Sequence, residues 1–380
     1  MSHVALVIPG INRIAGAERQ LIQLAKGLAR RGWRVSVVAL SDSGGDEADG
    51  LVNAGVAFTT LDMRKGVADP RGWIRFHRWL RKERPDVLHA HLPHATWVAR
   101  WSRLAAPVRV VMDTLHSSST GSLGRKLGYR WSDWLTDKVT AVSRGVADAH
   151  QQARMVSAAK LTIVPNGVDV NRWRPDAVKR EALRREVLED REFLWLAAGR
   201  LDPVKDYPTL LQAMVEVPEQ ACLVIAGAGQ LEKELRRFAN ELGLERRVRF
   251  LLFEPNVCRW MQAADAFVLS SRWEGLPMAL MEAAACELPA VATDVPGTRE
   301  VLMDGQTGLL VSAGNALDLA GAMTCMMQVS PEERQAMGAK ARQLVIERFS
   351  LEAVLDRWEE LYSELMEPNP NPSRWHVKDQ

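Results

Sequence analysis

The chain has 380 residues, 47% hydrophobic and 25% charged, a soluble globular composition at a length that predicts two domains rather than one. No run of about 18 apolar residues occurs, and Met1-Ser2-His3 leads into an apolar strand without a basic leader, which argues against a membrane span or secretory signal and predicts a cytoplasmic protein. The near-neutral total hides an asymmetry: residues 1–170 carry 24 Lys and Arg against 14 Asp and Glu, a balance of +10, and the remainder carries 25 against 33, a balance of −8. A basic first half suits an anionic partner such as lipid headgroups or a lipid-linked acceptor, or is simply a solvated face.

In chain order, Val4–Ile8 reads as a buried strand. Leu21, Leu24, Ala25 and Leu28 mark a helix face ended by Gly32, and Val35–Leu40 completes a βαβ unit. Strands expected at Val87-Leu88, Val108–Met112, Val139–Val142 and Leu161–Val164 alternate with helical stretches, which predicts a mostly parallel sheet covered on both faces. A second set follows at Phe193–Ala198, Cys222–Ala226, Val248–Leu251, Ala266–Leu269 and Pro289–Ala292. Pro165-Asn166-Gly167-Val168-Asp169 and Arg172-Trp173-Arg174-Pro175 read as a hinge between the sets. The expected division is an α/β first domain over 1–168, an α/β second domain over 169–350, a final helix over about 351–366 and a disordered Pro/Asn-rich tail over 367–380.

Several tempting patterns carry no chemistry. Asp46-Glu47-Ala48-Asp49 spells a helicase box but falls in a polar Ser/Gly stretch read as a loop, and no Walker A sequence exists. Gly227-Ala228-Gly229 lacks the third glycine of a dinucleotide fingerprint and reads as a tight strand-to-helix turn. Cys222, Cys258, Cys286 and Cys325 show no C-x-x-C spacing and read as reduced structural thiols. His89, His91 and His94 have metal-like spacing, yet after the strand Asp86-Val87-Leu88 they read as crevice wall and packing, in reach of an acceptor, rather than as zinc ligands.

The most informative stretch runs from Ser271 to Glu282. Glu274 and Glu282 bracket a Gly275-Leu276-Pro277 turn and the start of an apolar helix. Eight residues are about 2.2 helical turns, so both carboxylates are expected near one helix face, where they can grip two sets of hydroxyls. The plain alternative is a capping Glu274 and a solvated Glu282. Arg200 and Lys205 lie five apart in a loop leaving the first strand of the second set, able to neutralise a diphosphate or to pair locally with Asp202 or Asp206. Gly16-Ala17-Glu18 opens the first helix after the first strand, where a helix N-terminus favours a phosphate.

These motifs together resemble the E-x7-E signature of the retaining family 4 glycosyltransferases, enzymes of the GT-B architecture, over Val4 to about Leu365. The resemblance implies two Rossmann-like domains with parallel sheets facing across a cleft and a final helix that crosses back to the first. It places Gly16 near the donor diphosphate, with Ala15 replacing a family glycine. Glu282 falls on the donor ribose, Glu274 on the transferred sugar, and Gly275, Leu276 and Pro277 beneath that sugar. His116, after the strand Val110–Thr114, is then the active-site histidine that positions the sugar. Arg200 and Lys205 stabilise charge on the departing diphosphate. No D-x-D motif sits at a strand end, so no metal or other cofactor is expected. Anomeric retention is expected by front-side attack, because no nucleophile like that of a retaining hydrolase is offered. Two positions depart from the family: Cys286-Glu287-Leu288-Pro289 stands where C-G-x-P is usual, tolerable for Glu287 if its φ is negative, and Leu252-Phe253 replaces a glycine, with Phe253 a candidate nucleobase contact.

The expected activity is a metal-independent, retaining hexosyl transfer from a nucleotide-diphosphate sugar, UDP-linked in the commoner family case, to a glycan or lipid-linked acceptor for a surface polysaccharide. A nucleotide-sugar epimerase would lack E-x7-E, and a non-catalytic nucleotide-sugar sensor would keep Glu282, Arg200 and Lys205 while losing His116 or Glu274. An RNA-binding reading has no aromatic-basic motif to stand on. Pro70–Lys82 and Leu123–Lys138, with Trp131 and Trp134, are basic and aromatic, patterns that suit either contact with an anionic membrane at its inner face or cover over a sheet.

Overall fold

A computed structural model of the chain describes residues 1–12, 16–42, 44–64, 69–106, 108–188, 192–252, 254 and 256–367. The expected Ala15 and Phe253 positions, and 368–380 of the tail, lie outside these residues.

The first sheet has seven strands: β1 (His3–Ile8), β2 (Arg34–Ala39), β3 (Ala57–Thr60), β4 (Val87–His91), β5 (Val110–Leu115), β6 (Lys138–Ala141) and β7 (Leu161–Ile163). Their order is β3-β2-β1-β4-β5-β6-β7, and β1 lies parallel between β2 and β4, with Val4 opposite Val35 and Val87. The second has six: β8 (Phe193–Ala198), β9 (Ala221–Ala226), β10 (Val248–Leu251), β11 (Ala266–Leu269), β12 (Ala290–Thr293) and β13 (Gly308–Val311), ordered β10-β9-β8-β11-β12-β13. The chain thus forms two α/β assemblies with parallel, doubly covered sheets. β1, β4 and β5 are buried along their whole length, as are β8, β9, β11 and β12, which is why β8, β9 and β11 read as unbroken apolar runs and β1 and β12 nearly so, while β4 and β5 also bury His89, His91, Asp113 and Thr114. β3 and β13 were not expected from the sequence: both are four-residue edge strands with little fully buried surface to leave a pattern.

Two compact units result, one comprising 1–114, 128–139 and the segment from Leu355 onward, the other 115–127 and 140–354. They are cut differently from the expected division at 168. In the first, Val7, Leu88 and Val111 of the sheet pack with Phe76 and Leu80 of the helix Pro70–Glu83. That helix starts where Asp69 accepts hydrogen bonds from the Arg71 and Gly72 amides, with Pro70 at its first position. The final helix, Leu351–Met366, returns Asp356 and Glu359 to Arg31 at 2.6 Å each and the Tyr362 hydroxyl to His89 Nδ1 at 2.7 Å. In the second unit, Trp195, Leu210, Leu223, Val268 and Met323 join sheet to helices.

Several expectations are corrected. Asp46-Glu47-Ala48-Asp49 is not a loop: it lies in the helix Gly45–Val52, with Asp46 and Glu47 in its favourable first turn and Ala48 and Leu51 buried. His89 and His91 do not follow β4 but lie within it, both buried, and His89 bonds Tyr362 and Thr114. Among the described residues no group of three or more His, Cys, Asp or Glu is arranged to hold a metal ion. His94 is exposed at the start of the helix Pro93–Ser102. Cys222, Cys258 and Cys286 are buried free thiols, while Cys325 is exposed. No described helix is long and apolar enough to cross a membrane.

Glu287 is the sharpest correction, because its φ is +63° rather than negative. It occupies the left-handed position after the helix Met278–Ala285, and the Leu288 amide bonds Ala283 O at 3.0 Å across it, an end at which glycine is the usual residue. Its distant Arg342 contact, 3.9 Å, adds little. Glu287→Gly is expected to raise stability by about 1 kcal/mol, read as a higher urea midpoint with unchanged slope.

Candidate functional site

In an open parallel sheet, a crevice forms at the carboxyl ends of neighbouring strands whose connections leave in opposite directions. In the second sheet those strands are β8 and β11. Arg200 and Lys205 follow β8, and Glu274 follows β11, so sheet topology alone brings the two motifs together.

The loop after β8 is fixed from beneath. Gly199 N and Leu201 N donate to Ala226 O and Ala228 O, each at 3.0 Å. A Cβ on Gly227 would stand 1.9 Å from Gly199 O, and one on Gly229 2.3 Å from Leu201 O. These two glycines are therefore a backbone seat for the cation loop, beyond the tight turn expected of them. Asp202 then starts the short helical turn Pro203–Lys205 by accepting from Val204 N at 3.2 Å. The buried Tyr207 hydroxyl donates to Gly199 O at 3.2 Å, and burial, with Asp202 and Glu274 nearby, pushes its pKa well up.

The loop after β11 is tied to this one at three points. Arg272 N donates to Val204 O at 2.8 Å, Ser270 Oγ to Lys205 O at 2.8 Å, and Arg272 Nε pairs with Asp206 at 3.0 Å. The side chains close the arrangement, for Lys205 Nζ and Ser271 Oγ each lie 2.6 Å from Glu274 Oε1. Lys205 and Glu274 are 17% and 10% exposed, so the pair is largely screened from water. Arg200 pairs with Asp202 at 2.9 Å and is 72% exposed, free to swing.

Glu274 does not share a helix face with Glu282. The helix begins at Met278 with Pro277 at its cap and no capping side chain, leaving Glu274 in the preceding turn. Packing places that turn: a Cβ on Gly275 would stand 2.4 Å from His116 O, and one on Gly297 2.6 Å from Gly275 O. Glu282, inside the helix, is 5% exposed rather than solvated. Leu276 is buried. His116 follows β5 but belongs to the same compact unit as Gly275, and burial lowers its imidazole pKa to about 4, so the ring is neutral at ordinary pH.

The structure therefore gathers His116, Arg200, Lys205, Glu274, Gly275, Leu276, Pro277 and Glu282 in one unit. Gly16, in the other unit, is the exposed first residue of the helix Gly16–Arg30. Upstream in the same unit, Asp42 accepts from Ile11 N and Asn12 N at 3.1 and 3.3 Å. Asp42 is not singled out in the sequence; Asp202 and Asp206 enter there only as local ion-pair partners, which Arg200–Asp202 at 2.9 Å bears out, and Ser271 and Arg272 only as neighbours of Glu274. Their only signal is position, immediately after a buried strand or beside a motif residue.

Two family models match: "Glycosyltransferase Family 4" over residues 14–172 and "Glycosyl transferases group 1" over 178–344. A phosphatidyl-myo-inositol mannosyltransferase of Mycobacterium leprae is 30% identical over 346 residues, covering 86% of this chain and 88% of its own. The UDP-Gal:alpha-D-GlcNAc-diphosphoundecaprenol alpha-1,3-galactosyltransferase of Escherichia coli is 24% identical over 316 residues, 79% of this chain and 81% of the relative. Among solved structures, Anabaena HepE in complex with UDP-glucose superposes with a TM-score of 0.82 at 23% identity, covering 95% of this chain and 99% of that one. Thermosynechococcus elongatus sucrose-phosphate synthase gives 0.83 at 22%, covering 96% and 99%. With a catalogue of site residues at the switch point of its second sheet and these relatives along nearly its whole length, the chain belongs to glycosyltransferase family 4, with the two Rossmann-like assemblies of the GT-B architecture.

Proposed function

We propose that this glycosyltransferase transfers a hexosyl group from a UDP-sugar to a glycan or lipid-linked acceptor of a surface polysaccharide, with retention and without a metal ion. The observation that carries the reading is the Lys205–Glu274–Ser271 cluster at the joined ends of β8 and β11, beside the Gly275 backbone and His116. Lys205 and Arg200 supply positive charge to the departing diphosphate, the part a divalent cation plays elsewhere. Glu274 accepts hydroxyls of the transferred sugar while its bond to Lys205 keeps the cation aimed. Glu282 takes the ribose hydroxyls, and the Gly275–Pro277 backbone lies under the sugar.

The acceptor oxygen forms its bond to the anomeric carbon on the face from which the diphosphate oxygen leaves, and its proton passes to that oxygen. The enzyme orients and neutralises, and neutral His116 positions the sugar without adding charge. The UDP assignment draws on the donor for which the E. coli relative is named and on the UDP-glucose bound to HepE. A Mycobacterium tuberculosis relative, 29% identical over 284 residues, is named for GDP-mannose, so guanosine donors are the second reading.

Nucleotide release from UDP-, GDP- and ADP-sugars, with and without chelator, tests donor and metal together, and NMR of the product's anomeric proton reads the stereochemistry. Chelator-resistant release of UDP with retained configuration is expected. Release of GDP alone would move the donor to the second reading, while chelator-sensitive release or inversion would overturn the mechanism.

A further inference from the structure

Two free thiols of the second unit meet at the end of the helix that bears Glu282. Cys286 directly follows the helix Met278–Ala285, and its amide donates to Glu282 O at 3.2 Å and Ala283 O at 2.9 Å. Cys258 lies in the helix Val257–Ala263, which packs against Met278–Ala285. The Cys286 thiol donates a hydrogen bond to the Cys258 sulfur, and Cys258 Sγ lies 3.4 Å from Arg172 O. Both are unbridged, with Cys258 8% and Cys286 4% exposed.

The frame around the sulfurs is fixed by side chains that hold the backbone of residues 170–174. Gln262 Nε2 donates to Arg174 O at 2.8 Å. Arg342 reaches Trp173 O through Nη1 at 3.1 Å and Val170 O through Nη2 at 3.2 Å, and Nη1 also donates to Ala285 O at the end of the Glu282 helix. Both helices and this segment are thus tied together where the thiols touch.

The two sulfurs have opposite tendencies. The hydrogen bond from Cys286, with the Arg174 amide and the Arg172 and Lys179 cations, brings the Cys258 pKa down to about 7 against the effect of burial, so thiolate is present at neutral pH. The same hydrogen bond, burial and the nearby Glu282 carboxylate push the Cys286 thiol up, which keeps it protonated. One sulfur is suited to attack and its neighbour to resolve.

We propose that Cys258 and Cys286 form a dithiol that a small peroxide closes to a disulfide, and that closure shifts the end of the Met278–Ala285 helix and weakens the site built on Glu282. The second part rests on the donor-site reading; the first does not. The Cys258 thiolate attacks one peroxide oxygen, the O–O bond breaks and hydroxide leaves, giving a sulfenic acid. The Cys286 sulfur then attacks Cys258, the S–O bond breaks, and the departing hydroxide takes the Cys286 proton. Two thiols lose two electrons to one peroxide, which ends as two waters. The sulfurs must close from hydrogen-bonding distance to a bond of about 2 Å, and Cys286 transmits that movement to the helix turn whose carbonyls its amide holds.

Hydrogen peroxide treatment of the reduced full chain, followed by alkylation, proteolysis and mass mapping, tests the bond. A peptide pair joined through Cys258 and Cys286, reopened by dithiothreitol, is expected. Cys286→Ser should abolish the joined pair and leave a Cys258 sulfenic acid that dimedone traps. Cys325→Ser, at an exposed thiol, should leave the pair unchanged. Oxidation of Cys325 while Cys258 and Cys286 stay free, or joining only in urea, would overturn the proposal, and both are read on the native sequence even where Cys286→Ser fails to fold. Calorimetry with UDP reads the coupling: the oxidised chain should bind at least about fivefold more weakly than the reduced one, with recovery in dithiothreitol. Equal affinity of the two forms would overturn the coupling. Absence of UDP binding by the reduced chain, with the disulfide formed, would overturn the donor-site reading and uphold the dithiol.

Discussion

Lys205→Ala is expected to lower kcat/KM for sugar transfer on the order of a thousandfold, or ~4 kcal/mol, the scale seen when one fixed donor to developing transition-state charge is removed. The loss should fall mainly on kcat, because charge on the diphosphate grows as the glycosidic bond breaks. Lys205 is held for this by its 2.6 Å bond to Glu274, and by Ser270, which fastens its backbone carbonyl at 2.8 Å. The same substitution leaves the Glu274 carboxylate, 10% exposed, with the Ser271 hydroxyl but without its cation. A stability loss of about 1 to 2 kcal/mol should follow, less than for a fully buried pair. Combining Lys205→Ala with Glu274→Gln removes the stranded charge and should restore the thermal midpoint while activity stays lost. Recovery of activity together with stability would show that Lys205 serves only to hold the loop.

The largest stability effect is expected in the other unit, at Arg100. Its guanidinium and the Asp113 carboxylate are 0% and 1% exposed and meet through Nε and Nη2 at 2.8 and 3.0 Å. The remaining nitrogen, Nη1, donates to Tyr129 O at 3.1 Å and Ser132 Oγ at 3.0 Å, and the cation lies 5.0 Å from the Tyr129 ring centre. Thr136 adds a hydroxyl to Asp113 at 3.3 Å. Arg100→Ala would strand a buried carboxylate and several acceptors, at a cost of about 3–5 kcal/mol. Arg100→Met with Asp113→Leu replaces both charges and should recover most of it, as buried pairs generally cost much of their attraction in desolvation. Urea unfolding reads both variants. A single substitution costing under about 1 kcal/mol would mean that water reaches the pair.

Strands buried on both faces are plain in the sequence, as β8, with Phe193 to Ala198 all apolar, illustrates. β3 and β13, at sheet edges, have no such run, and the helix Gly45–Val52 hides behind a polar composition with only Ala48 and Leu51 inward. The left-handed Glu287 was illegible because nothing local distinguishes an acid tolerated at a helix end from one in extended chain. At the site, residue identities were readable because cations and carboxylates at strand ends are chemically conspicuous. Their geometry was not. Lys205 and Glu274 are 69 residues apart, and Glu274 is aimed by a turn wedged between the His116 and Gly297 backbones, contacts set by distant segments rather than by the 3.6-residue count.

A nucleotide-sugar donor site is proposed at the joined ends of β8 and β11. Calorimetric titration of the native chain and of Glu282→Ala with UDP, GDP and ADP, each with and without chelator, tests it most directly. UDP should bind, chelator should leave the affinity unchanged, and Glu282→Ala should weaken it at least roughly tenfold, the ~1.4 kcal/mol expected of a lost charge-assisted hydrogen bond. Absence of binding by all three nucleotides, or equal affinity in the variant, would contradict it.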